Sequence, residues 1–230
     1  AVRSNDAIAV AGNANNDFGL LVLNADGTHS LEQATDFGGA DIAFSIAIQS
    51  DGKYVLAGRS DADIAVARYN SNGTLDTTFD GDSGAANGKI TIDLGGNEIA
   101  KSVVVDSNGK ILLAGGTNKN GDDDLLIIRL DTDGSLDTDF GTNGVVIVDT
   151  GGGNNDYLND IVEQTISGDD YILGAGTTDN GNGDIVMVRV SNESPQAPNP
   201  VPSLDTYGIM AFAALLAGAG MLLRKNTATV

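Results

Sequence analysis

Apolar and polar side chains alternate in short segments of this chain, and each segment ends at a turn sequence. Residues 42–49 (IAFSIAIQ) alternate with a period of two, which predicts a β-strand. The residues that follow, 50–53 (SDGK), contain Asp-Gly, and residues 107–110 (SNGK) contain Asn-Gly. Both dipeptides favour hairpin turns because their backbones tolerate positive φ. A second strand is therefore predicted directly after each turn, at residues 54–58 and 111–115.

The next apolar run differs from the first two because it has almost no polar side chains. Residues 125–130 (LLIIRL) and 185–190 (IVMVRV) are apolar on both sides of the predicted strand, which indicates burial on both faces. A further Asn-Gly or Asp-Gly turn and a fourth strand are predicted at residues 72–73 and 90–94, and again at 133–134 and 145–149.

The same succession of strands recurs along residues 6–190, so the chain contains an internal repeat. The copies at residues 42–94 and 99–149 are complete, the copy at 157–190 lacks its last segment, and residues 6–27 form a weaker first copy. This pattern predicts an all-β fold of four-stranded repeats in a propeller-like array of about three to four blades, with about 13 or 14 strands. Incomplete copies leave open strand edges, which can pair with another chain.

The two complete copies resemble the delta-60 repeat family. The resemblance rests on residues 47–79, with SDGKYVLAG and DIAVARYNSNGTLDTTF, and on residues 104–144, with SNGKILLAG and DLLIIRLDTDGSLDTDFGTNG. It implies a β-propeller-like array of the kind found mainly in large secreted or surface proteins of bacteria. It implies no catalytic residue, and we therefore expect a protein that is not an enzyme.

The composition changes abruptly after the last repeat. All four prolines of the chain follow it within a few residues, which predicts an extended linker. The uncharged residues 209–223 then predict a short membrane helix, and Arg224-Lys225 behind it would stay on the cytoplasmic side. The predicted division is a β-repeat domain at 1–190, a proline-rich linker at 191–206, a hydrophobic α-helix with a basic end at 207–225 and a tail at 226–230.

Small side chains run through the predicted C-terminal helix, namely Ala211, Ala214, Ala217, Gly218 and Gly220. Ala214 and Gly218 are separated by one helical turn, and such a pair lets two helices approach closely. We therefore expect this helix to pack against copies of itself in an assembly. The same composition is also typical of any short membrane segment.

The tail also resembles the three-part C-terminal sorting signals of Gram-negative bacteria, the IPTL-type relatives of the PEP-CTERM class. Pro202, Leu204 and Gly208 stand at the spacing of that family. The resemblance implies export, transient residence in the membrane, and a tail that a membrane protease can remove. It places the repeat domain at the cell surface or outside the cell.

The charge balance excludes some classes of partner. The formal net charge is −20, from 32 acidic and 12 basic residues, which argues against binding to nucleic acid because that binding needs Lys and Arg at the phosphates. The chain has no cysteine and one histidine, His29, which is predicted to lie in a turn. A thiol site is therefore excluded, and a catalytic triad would lack a positioned base.

Three arginines recur at corresponding positions of the repeat, Arg68, Arg129 and Arg189. Each follows an aspartate by five residues (Asp63, Asp124, Asp184), and the first two precede another aspartate by eight (Asp76, Asp137). We expect a structural arginine–carboxylate pair within each blade, because the planar guanidinium suits bidentate bonding. A ring of ligand-binding arginines is the alternative.

One segment resembles a calcium-binding loop. Asp131, Asp133 and Asp137 (DTDGSLD) offer several carboxylate oxygens within one turn, and calcium binds six to eight oxygen ligands. The alternative is a plain hairpin turn, which also favours Asp-Gly. Calcium at these three residues is the only cofactor that the sequence suggests.

These features together predict an exported, non-enzymatic structural protein. We expect it to assemble with itself into an extracellular or cell-surface filament through the C-terminal helix and open β edges, with at least transient contact with the membrane. The alternative is a surface binding or adhesion module that is tethered to the membrane or sorted to the surface of a Gram-negative bacterium.

Overall fold

The computed structural model describes residues 1–81, 85–150, 155–178 and 184–192, together with the backbone of Ala211–Phe212. Within these residues the protein is an all-β, propeller-like repeat of four antiparallel sheets. The first sheet has three strands: β1 (Ile8–Ala14), β2 (Asp17–Leu23) and β3 (His29–Thr35). The second has four: β4 (Asp41–Ile48), β5 (Tyr54–Ser60), β6 (Asp63–Tyr69) and β7 (Lys89–Ile92).

The third and fourth sheets repeat this order. The third sheet has β8 (Glu98–Val105), β9 (Ile111–Thr117), β10 (Asp124–Leu130) and β11 (Val145–Val148). The fourth has β12 (Tyr157–Ile166), β13 (Asp169–Thr178) and β14 (Asp184–Ser191), and the two-residue β15 (Ala211–Phe212) pairs with β14 in parallel. The predicted all-β repeat is confirmed. His29 begins a strand and does not lie in the predicted turn.

The predicted hairpin turns lie where the Asn-Gly and Asp-Gly dipeptides stand. Gly52 and Gly109, in the turns before β5 and β9, have φ of 83° and 81°. This left-handed backbone is strained for any residue with a side chain, so glycine is the residue that favours the turn.

The core lies between the sheets, in three clusters that join successive sheets. Neighbouring residues of β10 belong to different clusters: Leu126 and Ile128 face the second sheet, whereas Leu125 and Ile127 face the fourth. All seven residues of β10 are buried. The predicted burial of this strand on both faces is therefore confirmed.

The corresponding prediction for residues 185–190 is wrong. Ile185 in β14 is 83% exposed, whereas its counterparts Ile64 in β6 and Leu125 in β10 are 0% and 1% exposed. The difference arises because the third sheet covers β6 at Ile64 and the fourth sheet covers β10 at Leu125. No described residue covers the corresponding side of β14 at Ile185. The sequence alone could not reveal this, since all three segments are equally apolar.

The first strand of each later sheet carries a β-bulge. The pairing register shifts at Phe44 in β4, at Lys101 in β8 and at Asn159 in β12. The bulge breaks the uninterrupted alternation that the sequence predicts for residues 42–49: Ala43 is buried and Phe44 is 44% exposed. Side chains on the two sides of a bulge change face because one residue has no partner.

Most of the predicted tail lies outside the described residues, including Ala214, Ala217, Gly218 and Gly220. The backbone of Ala211 belongs to strand β15 instead of the predicted helix. An extended segment can satisfy the backbone groups along the edge of β14, and β15 pairs there with Val188 and Arg189. In the part of the chain that the structure describes, no helix is long and apolar enough to cross a membrane.

Candidate functional site

The first sheet has an uncovered apolar face. Ile8 and Val10 in β1 are 42% and 44% exposed. Their counterparts in the second sheet, Tyr54 and Leu56, are 0% exposed because the first sheet packs on them. The side of β1 that would meet a preceding sheet is therefore open to solvent.

The edge of β1 is also only partly paired. Val2 forms an isolated bridge with Ile8, and Ala1 exchanges backbone hydrogen bonds with Ala9. From Val10 onward, no described strand lies beside β1 on that side. The unpaired edge presents backbone donors and acceptors to any strand that could add to it.

The fourth sheet has an uncovered apolar face on the side that points away from the third sheet. Val162 in β12 is 51% exposed and Ile185 in β14 is 83% exposed. Among the described residues, only the two residues of β15 pair with the outer edge of β14. The array thus ends in two apolar faces of unlike composition, one at each end.

Arg68 joins the second sheet to the third. Its Nε donates to Asp76 Oδ2 at 2.7 Å, and a terminal guanidinium nitrogen donates to the backbone carbonyl of Thr132. The guanidinium lies 4.6 Å from the centre of the Phe79 ring, and Lys53 Nζ lies 3.1 Å from Asp76. This arrangement is a buried polar contact between blades, because Arg68 and Asp76 are both 4% exposed.

Arg129 makes the equivalent contact between the third and fourth sheets. Its Nε donates to Asp137 Oδ2 at 2.6 Å, and its guanidinium lies 4.6 Å from the centre of the Phe140 ring. It also donates to the backbone carbonyl of Asn192 and, at 2.8 Å, to Asn192 Oδ1. Burial alone would raise the pKa of Asp137, but the hydrogen bond from Lys110 and the charge of Arg129 outweigh it and lower the pKa.

The aspartates five residues before the arginines have a different place. Asp63, Asp124 and Asp184 begin β6, β10 and β14, at the ends of the strands away from the arginines. Five residues of strand span about 16 Å, which is too far for an ion pair. In the fourth sheet the Arg189 guanidinium lies 4.5 Å from the centre of the Tyr171 ring.

Two of the three aspartates of the predicted calcium loop, Asp131 and Asp137, contact a lysine ammonium group. Lys110 Nζ contacts both Asp137 and, at 3.1 Å, Asp131. Asp133 accepts the N–H of Ser135 at 3.0 Å and its hydroxyl at 2.7 Å, as an aspartate in a turn commonly does. Calcium at these residues stays a prediction, and the nearby ammonium and guanidinium groups disfavour it electrostatically.

Three other groups of carboxylates lie at the junctions between sheets. We call them the first acidic junction (Asp17, Asp36, Asp41), the second (Asp63, Asp93, Glu98) and the third (Asp122, Asp124, Asp149). In each group, one carboxylate oxygen from every residue lies within 4.8 Å of the other two. In each group, one aspartate begins a strand: Asp17 in β2, Asp63 in β6 and Asp124 in β10. A second aspartate lies in the connection that leads into the next sheet: Asp36, Asp93 and Asp149.

In the second and third acidic junctions, burial and neighbouring negative charges disfavour the charged form of one aspartate each. Burial raises the pKa of Asp63, and the charges of Asp93 and Asp61 raise it further. Burial likewise raises the pKa of Asp124, and Asp149 and Asp122 add to that shift against a hydrogen bond from Asn120. A raised pKa means that the folded protein disfavours the charged form of both carboxylates.

The acidic junctions were not predicted from the sequence, although a repeated motif marks them. The connections contain Asp36-Phe-Gly-Gly, Asp93-Leu-Gly-Gly and Asp149-Thr-Gly-Gly. The aspartates are 57 and 56 residues apart, as the difference of their numbers shows. The repeated Asp-x-Gly-Gly motif therefore follows the period of the blades, and only the fold shows that it meets a second aspartate at a strand start.

Comparison with known proteins supports the propeller-like fold. The family model "Domain of unknown function (DUF5122) beta-propeller" matches residues 49–79 and 107–140. These segments contain the turns before β5 and β9 and both buried Arg–Asp pairs. No curated protein sequence matches this chain.

Similar solved structures are distant. One is the alpha-L-arabinofuranosidase CtGH43 from Clostridium thermocellum ATCC 27405, at 14% identity and a TM-score of 0.42, with 80% of this chain and 69% of that chain covered. Another is the Pan2 WD40 domain of Neurospora crassa, at 14% identity and 0.44, with 87% and 52% covered. A third is the endo-arabinase from Bacteroides thetaiotaomicron VPI-5482, at 13% and 0.43, with 80% and 69% covered. The aligned part thus spans about half of the Pan2 domain.

Proposed function

We propose that this protein is an exported, non-enzymatic structural subunit that assembles head to tail into an extracellular or cell-surface filament. The observation that supports this proposal is the pair of open apolar faces at the two ends of the array. Ile185 is 83% exposed at one end and Val10 is 44% exposed at the other. At every internal junction, the residues at the corresponding positions are buried by the neighbouring sheet.

The two faces suit each other because they belong to the same repeat. Inside the molecule, one face of each sheet packs on the sheet that follows it in the chain. Ile64 of β6, for example, packs on the third sheet. The fourth sheet of one copy can use the same packing on the first sheet of the next copy. A contact between unlike faces joins copies head to tail, and it continues as a filament where the rotation between copies does not close a ring.

The strand edges add a second complementarity. The space beside Gly12 is empty to at least 4 Å, whereas the equivalent Gly58, Gly115 and Gly176 each lie against a bulged first strand. A strand from another copy can therefore add to β1 without a steric clash. Added strands form main-chain hydrogen bonds, which give affinity with little demand on sequence.

The tail supplies the remaining parts of the proposal. The sorting-signal resemblance at Pro202, Leu204 and Gly208 supports export in a Gram-negative bacterium and at least transient contact with the membrane. The apolar residues that follow β15, up to residue 223, support a helix that packs with copies of itself. The partners are thus other copies of this chain and the membrane, with no nucleic acid.

The test combines electron microscopy with light scattering on the purified chain. We expect concentration-dependent filaments from the wild type. Ile185→Asp places a charge in the contact and should raise the concentration needed for assembly about tenfold or more, since burying one isoleucine is worth about 1.5–3 kcal/mol. Phe44→Asp is the matched control, because Phe44 is also exposed and lies on neither end face.

Two results would overturn the proposal. A monomer at all concentrations, with Ile185 and Val10 accessible, would favour the surface binding module. Equal loss of assembly in Ile185→Asp and Phe44→Asp would mean that the end faces do not form the contact. Deletion of residues 213–230 keeps β15 and separates the rest of the tail from the faces: filaments that persist without it depend on the sheets alone.

A further inference from the structure

We propose that the first acidic junction, Asp17, Asp36 and Asp41, binds a calcium ion between the first and second sheets. The second acidic junction differs because Glu98 has a hydrogen-bond donor at each oxygen, Thr117 and Leu94, so the proposal is confined to the first junction. This inference concerns the array itself and does not depend on filament formation.

The geometry of the first acidic junction fits a hard divalent cation. One oxygen from each of the three carboxylates lies within 4.8 Å of the others, so a single ion can contact all three. Asp17 begins β2, Asp36 lies in the connection after β3, and Asp41 begins β4. An ion there would cross-link two sheets, with water completing the six to eight oxygens that calcium binds.

A buried carboxylate oxygen without a partner provides the second observation. Asp41 is 0% exposed, and its Oδ2 accepts the N–H of Phe37 at 2.6 Å. Its Oδ1 is buried and has no hydrogen-bond partner. A buried charged oxygen that lacks a donor is destabilising, and a bound cation would remove that cost.

The cationic groups of the described residues do not neutralise this junction. Lys89 is the nearby cation, and its Nζ donates to the backbone carbonyl of Asp36 at 2.6 Å and lies over the Phe37 ring. The ion pairs of the described residues lie elsewhere, mainly at the Arg68 and Arg129 contacts. Three carboxylates therefore meet without a cationic side chain between them.

The connection loops hold the donors in the same way in two junctions. Gly38 N–H donates to Asp36 Oδ1 at 2.6 Å, and Gly95 N–H donates to Asp93 Oδ1 at 2.7 Å. Glu98 in the second junction occupies the place of Asp41, and its Oε2 accepts the N–H of Leu94 at 3.3 Å. Backbone N–H groups thus orient one oxygen each of Asp36, Asp93 and Glu98. The other oxygen of the exposed Asp36 is available to an ion.

Calorimetric titration of the whole chain with calcium chloride tests the proposal. We expect one bound ion per chain, with a dissociation constant of about 0.1–1 mM, as is typical of extracellular calcium modules. Asp36→Asn keeps an acceptor for Gly38 but removes the charge, and it should abolish this binding. Asp26→Asn is the matched control, because Asp26 is exposed and accepts the N–H of Thr28, two residues on, in the same way.

Thermal unfolding in calcium and in chelator separates metal binding from a merely structural role. Calcium should raise the unfolding temperature of the wild type more than sodium chloride does at equal ionic strength. Asp41→Asn should be at least as stable as the wild type in chelator, because it removes a repelled buried charge, and should gain less from calcium. A loss of stability in both solutions would contradict the proposal.

Two further results would overturn it. The absence of binding heat and of any calcium-specific shift in unfolding temperature would mean that the junction is an unoccupied acidic contact. Equal losses in Asp36→Asn and Asp26→Asn would mean that calcium acts only by screening the net charge.

Discussion

Gly58 in β5 lies against the backbone of Ile42 in β4, so closely that a Cβ on residue 58 would overlap the carbonyl oxygen of Ile42. The register shift at Phe44 begins at the pair Ala43–Gly58. The same relationship joins Gly115 to Ile99. A glycine at this position of the repeat is therefore a requirement of the bulged first strand beside it.

The first prediction concerns this glycine. Gly58→Ala should lower the free energy of unfolding by about 2 kcal/mol or more, because the added methyl group meets a backbone oxygen that cannot move aside. Gly12→Ala is the control, since nothing lies within 4 Å of the corresponding position in β1, and it should change stability by less than about 0.5 kcal/mol. Urea unfolding measures both. Equal losses in the two variants would contradict the role of the bulge.

The second prediction concerns the buried ion pairs. Asp137→Ala leaves Arg129 buried without its carboxylate and should cost about 3–5 kcal/mol of unfolding free energy. Asp133→Ala removes only an exposed turn acceptor in the same loop and should cost about 1 kcal/mol or less. Urea unfolding of the two variants compares them directly. A small effect of Asp137→Ala would mean that the two oxygens of Asn192 are enough to hold Arg129.

The third prediction is a maximum of stability at mildly acidic pH in calcium-free buffer. The pKa of Asp63 is raised in the folded protein, so its unfavourable charge is present above that pKa and is relieved as the pH falls through it. The pKa of Asp76 is lowered: burial would raise it, but hydrogen bonds from Thr78 and Lys53 and the charge of Arg68 outweigh burial. Its contribution is complete above the unfolded pKa of about 3.9 and is lost as the pH falls further.

Urea unfolding between pH 7 and pH 3 measures this profile. Unfolding free energy should rise as the pH is lowered from 7 and then fall below about pH 4. Asp63→Asn should flatten the rise, and Asp76→Asn should weaken the fall. A steady decrease of stability from pH 7 downward would show that repulsion at the acidic junctions is not significant.

Much of the fold could be predicted from local pattern. The hairpins before β5 and β9 follow from Asp-Gly and Asn-Gly dipeptides, in which the glycine adopts positive φ. The burial of β10 follows from its continuous apolar sequence. Such features depend on residues that are neighbours in the chain, so no knowledge of the tertiary contacts is needed.

The candidate sites could be predicted only in part. The recurrence of Arg68 and Arg129 pointed to ion pairs, but the aspartates before them in sequence lie at the other ends of their strands. The contacts of these arginines with Thr132 and Asn192 cross between blades. No periodicity along one strand can reveal a partner on a different sheet.

Alternation and turn chemistry act over a few residues, so the strands and hairpin turns of the two complete repeats could be predicted from local sequence. The tertiary structure was needed to show which apolar faces are covered: Ile64 and Ile185 occupy the same position of the repeat, yet one is buried by the following sheet and the other is exposed. It also brought Asp17, Asp36 and Asp41 together. Both outcomes depend on how neighbouring sheets stack, and that stacking is a property of the whole array.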